Sequence, residues 1–464
     1  MNALKEVIPS NAEHFTEDSL RINKISDKIV SSIYREAESI ADRVVSQEKG
    51  KIDWDRRVDD VLTSRWLGYP IMLLLLGVVL WLTITGANYP SQLLAQGLFW
   101  GQDRLTEFFI WAGSPGWLHG FLVLGVYRSL AWVISVMLPP MAIFFPLFTL
   151  LEDLGYLPRV AFNLDNFFRQ AGCHGKQALS MCMGFGCNAA GVISCRIIDS
   201  PRERVIAILT NNFVPCNGRF PTLIALAAIF TAGAVSGTYS NLLASAAVLG
   251  IILIGIFTTF TISYLLSRTI LKGIPSSFAL ELPPYRKPRV GQIIVRSILD
   301  RTLFVLKRAI IVAAPAGGIA WIMANIYIGN ASILTHTAGF LDPFAALLGL
   351  DGIILMAFIL GLPANEIVLP LIIMGYLCTG SMLEMDSLQA LKELLVVQHG
   401  WTPLTALSVM LFSLLHYPCG TTILTIYKET KSHKWTLLAV LIPLSVACIV
   451  CFLLNQTALV LGFG

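Results

Sequence analysis

Two short stretches of this chain echo each other, and each combines helix-breaking residues with groups that can hold a cation. Met183-Gly184-Phe185-Gly186-Cys187-Asn188-Ala189-Ala190 is followed by Val214-Pro215-Cys216-Asn217-Gly218, and Leu360-Gly361-Leu362-Pro363-Ala364-Asn365-Glu366-Ile367 by Tyr417-Pro418-Cys419-Gly420-Thr421. Cys187, Cys216 and Cys419 are the foremost candidates, because a thiolate on an interrupted helix can point into a cavity and ligate a transition metal. The plainer alternative is that cysteine packs as a small hydrophobe, the reading adopted for Cys182, Cys195, Cys378, Cys448 and Cys451. Glu366 lies inside an apolar run, where an ionised side chain costs about 2.5–3.5 kcal/mol unless it has a cavity, a counter-charge or a proton. Asn188 and Asn365 hold matching places in the echo; their carbonyls can ligate a cation or cap freed backbone. His416 is a third kind of candidate ligand, though a lone buried histidine is more often structural. Glu152 and Asp153 end an apolar run and could gather cations at a cytoplasmic mouth, or simply solvate a helix end. Gly184, Gly186, Pro215, Gly361, Pro363 and Pro418 are the expected hinges.

Such residues need an apolar frame. The chain has 464 residues, 55% of them hydrophobic and 13% charged, with a mean hydropathy of +0.70; soluble chains carry roughly a quarter charged residues. Lys and Arg number eleven in 1–66, six in 152–204 and nine in 268–308, with none in 220–267, 309–391 or 435–464. That distribution predicts an all-α polytopic membrane protein of about seven or eight transmembrane helices with interrupted or re-entrant gate helices. Apolar runs fall at about 67–85, 117–151, 203–230, 242–266, 303–328, 344–378, 403–427 and 435–461. The less apolar run 175–198, broken at Gly184-Phe185-Gly186, suits a re-entrant helix buried among others. Pro139-Pro140 and Pro146 are expected to kink or break the second run.

Positive charge places 1–66, 152–204 and 268–308 in the cytoplasm, with Lys428, Lys431 and Lys434 also inside and the uncharged 231–240 outside. The two echoing halves then face opposite ways, as inverted repeats do. Four regions follow: a cytoplasmic segment 1–66 with an amphipathic helix over about 19–48; a first membrane half 67–272 with its gate near 175–230; a cytoplasmic loop 273–302; and a second half 303–464 with its gate near 352–430. The multi-pass chain is expected in the cytoplasmic membrane with its N-terminus inside. The first residues lack the pattern of a cleaved signal peptide. Net charge of +4 gives no sign of nucleic acid, and the cysteines read as free thiols. The sequence has no Gly-x-x-x-x-Gly-Lys-[Ser/Thr] phosphate loop, no His-Glu-x-x-His zinc helix and no Gly-x-Ser-x-Gly elbow, so nothing in it points to an enzyme.

Gly184-Phe185-Gly186-Cys187-Asn188, Pro215-Cys216 with Arg219-Phe220-Pro221, Leu151-Glu152-Asp153-Leu154-Gly155-Tyr156-Leu157-Pro158-Arg159, Arg65-Trp66-Leu67-Gly68-Tyr69-Pro70 and Tyr417-Pro418-Cys419 together resemble the membrane region of the ferrous iron transport protein B family. The resemblance implies a permease that passes Fe2+ through Cys-lined gates, with no permanently bound cofactor. It also implies GTP acting only through a separate small GTPase, together with a small accessory protein, lipid and a homo-oligomeric state as further partners. The family's GTP-binding part is missing from the sequence, and 19–48 resembles the end of its helical domain. The family's Pro-Ala-Lys-Glu reads Pro363-Ala364-Asn365-Glu366 here, which removes a buried positive charge beside Glu366. The competing functions are carriage of Mn2+, Zn2+ or a nucleoside-like solute, and a membrane metal sensor or scaffold without flux.

Overall fold

A computed structural model of the chain describes residues 29, 31–41, 43–44, 54–64, 66–173, 175–232, 238–273, 285, 288–383, 385 and 387–462. They belong to two compact units, Met1–Val58 and Asp59–Gly464. In the first, residues 31–41 and 43–44 are helical, and Ile33, Ile40 and Val44 are more than half exposed. The rest of the helix expected over 19–48 lies outside the described residues.

The second unit is built of helices. Its strands, among the described residues, are one two-residue pair, Tyr327–Ile328 with Ala331–Ser332. After α1 (Trp54–Leu62) come two long helices packed along each other, α2 (Gly68–Trp111) and α3 (Gly116–Asp153). The first half continues with α4 (Tyr156–Gln170), α5 (Gln177–Gly186), α6 (Asn188–Ser194), α7 (Pro201–Thr210), α8 (Phe220–Ala232) and α9 (Thr238–Arg268). The second half holds α10 (Val290–Arg296), α11 (Leu303–Asn325), α12 (Ile333–Leu347), α13 (Gly352–Leu360), α14 (Val368–Leu377) and α15 (Leu388–Lys392), and ends with α16 (Pro403–Leu415), α17 (Gly420–Thr430) and α18 (His433–Val460).

Among the described residues, seven helical segments are long and apolar enough to cross a bilayer: α2, α3, α7–α8, α9, α11, α16–α17 and α18. Each exceeds the roughly 20 residues that span about 30 Å of hydrocarbon. Their outward faces carry Leu74, Trp81, Phe257, Ile311 and Ile449 in exposed positions, as lipid contact requires. Where α3 crosses α11, glycines bring the backbones together: a Cβ on Gly120 or Gly125 would stand 2.3 or 2.8 Å from the Trp321 side chain. Small residues at such crossings give membrane helices their packing energy.

Three expectations are corrected. The run 344–378 is not one straight span, because α12 and α13 meet at 109° and a second break at 361–364 separates α13 from α14. Asp351 caps the start of α13, its carboxylate accepting from the Ile354 N–H at 2.7 Å, so the bend is built from a capped helix start. Pro139, Pro140 and Pro146 do not break the second run: they lie within a helix that stays continuous to Asp153. In the 175–198 run the helix continues through Gly184-Phe185-Gly186 and breaks at Cys187, whose φ of −155° and ψ of 125° are extended.

The order of elements repeats. A span (α3), a broken short pair (α5–α6), a broken span (α7–α8) and a span (α9) are followed by α11, α13–α14, α16–α17 and α18. The correspondence reaches single dihedrals: Ala364, opposite Cys187 in the echo, has φ −153° and ψ 121°.

Candidate functional site

The site forms where the four helix breaks meet. Cys187 starts α6, Cys216 starts the turn that opens α8, and Cys419 starts α17, each from an extended backbone conformation. Breaks free backbone groups that cannot be left unpaired inside a membrane, and tertiary contacts take them up. The Gly420 N–H donates to Leu362 O at 2.6 Å, joining the two breaks of the second half, and the Tyr417 hydroxyl donates to Phe358 O at 2.7 Å.

The largest share falls to Arg219, which is 0% exposed. Its Nη1 donates to Asn212 O at 2.8 Å and Leu414 O at 2.7 Å. Its Nη2 donates to Asn212 Oδ1 at 3.2 Å, His416 O at 3.3 Å and Tyr417 O at 3.5 Å. One guanidinium from the first half thereby satisfies the carbonyls at the end of α16 in the second, the end of a helix that favours a cation. The Asn212 amide adds a bond to His416 O at 2.6 Å. In the sequence Arg219 is only part of a motif; an arginine well inside the apolar run 203–230, with no other charge from 205 to 230, is the signal that it has a buried partner.

Cys187, Cys216 and Cys419 line one cavity with Asn188, Asn365, Glu366, Gly186, Gly218 and Pro363; the thioethers of Met137 and Met141 add soft sulfur. Its free volume of ≈ 20 Å³ is room for about one water molecule. The Asn365 Nδ2 lies 3.8 Å from Cys216 Sγ, and Cys419 Sγ lies 3.2 Å from the Thr422 hydroxyl. Glu366 is 7% exposed, with its carboxylate pressed on Gly218: a Cβ there would stand 2.1 Å from Glu366 Oε1. Gly218 is therefore glycine because a carboxylate occupies its side-chain space. The sequence leaves Glu366 without a buried positive charge; in the structure the buried Arg219 stands one residue beyond Gly218, the glycine against which that carboxylate rests.

Other sequence candidates fall elsewhere. His416 is outside the cavity lining: its Nδ1 faces Phe412 O at 3.0 Å and Ser413 O at 2.9 Å, and its ring packs against Phe358, Phe412 and Tyr417. Glu152 and Asp153 are exposed at the end of α3. Gly184 and Gly186 lie within α5, and a Cβ on Gly186 would meet the Phe144 ring at 2.3 Å. Gly361 sits where a Cβ would meet Val368 at 2.4 Å. Pro215, Pro363 and Pro418 all occupy breaks. Among the described residues, no three His, Cys, Asp or Glu side chains are grouped closely enough to hold one ion together.

Two polar clusters lie outside the spans. Arg159, 2% exposed, donates to Asp59 Oδ1 at 3.0 Å and Oδ2 at 3.2 Å, and the Tyr285 hydroxyl donates to the same carboxylate at 2.7 Å. Burial opposes the Asp59 charge, yet these hydrogen bonds and the guanidinium outweigh it and hold the carboxyl below its usual range. Burial and the Asp59 bond push the Tyr285 hydroxyl up to about 12. Arg196, after α6, makes a two-pronged bond at 2.7 Å to Glu429 near the end of α17.

Two family models match. The Gate model, described as "Nucleoside recognition", covers residues 134–230 and 306–433, and the model for the ferrous iron transport protein B C terminus covers 248–300. The Fe(2+) transporter FeoB of Staphylococcus aureus (strain MSSA476) is 28% identical over 462 residues, which is 94% of this chain and 66% of the relative. That of Methanocaldococcus jannaschii is 26% identical, over 94% of this chain and 64% of the relative. A Porphyromonas gingivalis fusion of Fe(2+) transport protein A with FeoB is 26% identical, over 86% and 51%. The chain thus spans about two thirds or less of the curated relatives it matches. No solved structure matches it. The chain is thus similar, over most of its length, to the membrane region of the ferrous iron transport protein B family.

Proposed function

We propose that the chain is the permease part of a ferrous iron uptake system and that Fe2+ passes through the cavity between the broken helices. The observation that carries this reading is the meeting of Cys187, Cys216, Cys419 and Glu366, drawn from separate breaks, around a space of ≈ 20 Å³. A bare or nearly bare ion fits such a space, whereas small-molecule pockets take about 300–1,000 Å³; the size argues against a nucleoside in this conformation. Sulfur and carboxylate together suit a borderline divalent cation. Ligands that line a path without forming a closed cage suit an ion that must leave as well as enter.

Applying the charge rule to the seven spans puts the N-terminus inside, α5–α6 entering from the cytoplasm and α12–α14 entering from the opposite side. The two gates are then inverted repeats in the cytoplasmic membrane, and motion of one against the other alternates access. GTP-dependent control is supplied in trans by a GTP-binding protein that docks on the cytoplasmic segments. A small accessory protein is a further partner, by analogy with the fused relative from P. gingivalis.

The test is Fe2+ uptake into sealed vesicles by the unaltered chain and by Cys187→Ser with Cys216→Ser, with Mn2+, Zn2+ and uridine as competitors. A fall in uptake and competition by divalent cations alone are expected. Uptake unchanged in the double variant would remove the thiol pathway; metal binding without flux would make the chain a sensor.

A further inference from the structure

Asn188 and Asn365 follow residues with nearly the same backbone, φ −155° and ψ 125° against φ −153° and ψ 121°. Their surroundings differ. In the first half, Asn211 Nδ2 donates to the Asn188 main-chain oxygen at 3.1 Å, and the Asn188 side-chain amide donates to Val214 O and Gly184 O at 3.2 Å each. Asn211 and Asn212 stand five and four residues before Cys216; the residues five and four before Cys419 are Leu414 and Leu415. The second half therefore lacks a counterpart of Asn211, which ties down the Asn188 backbone in the first. Asn365, 5% exposed, uses its Nδ2 on Cys216 Sγ, and its Oδ1 is buried with no hydrogen-bond partner. A buried carbonyl is costly to leave without a partner, and this one belongs to a residue lining the ion-sized cavity beside Glu366.

Resting on the cation pathway proposed above, we propose that Asn365 Oδ1 is an oxygen ligand for the passing divalent cation and sets the specificity of the second gate. With Nδ2 turned to Cys216, Oδ1 is the end of the amide left without a partner. With the Glu366 carboxylate next to it, the second half offers hard oxygen where the first offers sulfur. Oxygen ligands favour Fe2+ and Mn2+, and thiolates favour softer cations such as Cd2+. The pathway so built rejects a cation that only the thiols can hold.

The experiment uses the full chain in sealed proteoliposomes and measures initial uptake of Fe2+, Mn2+ and Cd2+. Asn365→Leu keeps the shape and removes the oxygen; Asn365→Asp keeps an oxygen and adds charge. In the Leu variant, Fe2+ and Mn2+ uptake is expected to fall about tenfold relative to Cd2+, the lower end of what disturbing a metal's surroundings costs. In the Asp variant the Mn2+ concentration for half-maximal uptake is expected to fall. An unchanged Fe2+ to Cd2+ ratio in the Leu variant, or equal loss of all three cations in both variants, overturns the assignment while leaving the cation pathway standing. Absence of any cation uptake by the unaltered chain overturns both.

Discussion

Gly218→Ala is the most informative single change at the site, because it separates position from stability. The added Cβ would stand 2.1 Å from Glu366 Oε1, 2.5 Å from its Cδ and 3.1 Å from its Cγ. Real contacts of this kind begin near 3 Å, so the carboxylate must retreat by about 1 Å, and the three atoms nearest the new Cβ all belong to that one side chain. The obstacle is the far end of a flexible side chain, so the cost in stability is small, about 1 kcal/mol at the low end of overpacking. The functional cost is not small. Glu366 is buried, and the free space beside it is the cavity itself, so the displaced carboxylate enters the room for the ion. Fe2+ uptake should fall by at least about tenfold while the thermal midpoint moves by only a few degrees. Uptake in vesicles and a melting curve on the same preparation check this. Glu366→Gln provides the comparison, and Gly218→Ala added to it should cost little more, since one carboxylate carries both effects. Full uptake in Gly218→Ala would refute the reasoning, showing that Glu366 is free to swing aside and takes no part in the path.

Arg219→Met should destabilise the unit by about 3–5 kcal/mol, because it strands carbonyls of both halves; Arg219→Lys should recover less than half, since an ammonium cannot span them, and melting curves report both. The Arg159–Asp59–Tyr285 cluster makes a pH prediction. With the Asp59 carboxyl held below its usual range, its contribution is complete above the ordinary carboxylate value near 3.8 and is lost as pH falls through the lower native value. Melting of Asp59→Asn and the unaltered chain should differ at neutral pH and converge on strong acidification. In the same variant, tyrosine absorbance should show Tyr285 ionising below its value of about 12. Finally, Cys378 is the exposed cysteine, at the left-handed end of α14, while Cys173, Cys195 and Cys451 are buried. A maleimide should label Cys378 first in the native chain, and Cys378→Ser should remove that fast phase by mass spectrometry.

The membrane class and most spans were legible because hydropathy and charge act over 20-residue windows that need no tertiary partner. The echo located the breaks to within a residue or so, since Gly and Pro limit the backbone locally. What the sequence did not reveal depends on where a side chain ends after folding. Pro139, Pro140 and Pro146 read as breakers but stay within α3, where Pro139 and Pro140 are buried. Gly184 and Gly186 read as a hinge, yet both lie inside α5, where Gly186 makes room for Phe144. The bend between α12 and α13 was invisible to a hydropathy window, because both arms are apolar and the turn is set by Asp351 as a cap. The role of Arg219 needed coordinates most: its partners include carbonyls about 200 positions away.

The arrangement of charge explains why one repeated motif yields unequal gates. A broken helix offers carbonyls at the end of its first piece and N–H groups at the start of its second. In both halves a cysteine or its counterpart stands at such a start. Carbonyl ends would themselves attract a cation, but Arg219 already occupies those of α16, so a passing ion finds no resting place there. On the proposed pathway it is left to the side chains at the helix starts, sulfur at Cys187, Cys216 and Cys419 and oxygen at Asn365 and Glu366. On that proposed pathway, Arg219 keeps the cavity selective by filling the competing site with a cation of its own. The consequence is measurable: Arg219→Gln, which keeps hydrogen-bond donors and removes the charge, should admit a cation to the vacated carbonyls. That variant should bind Mn2+ more tightly and release it more slowly than the unaltered chain, and equal affinity in the two would show that the carbonyl ends never compete.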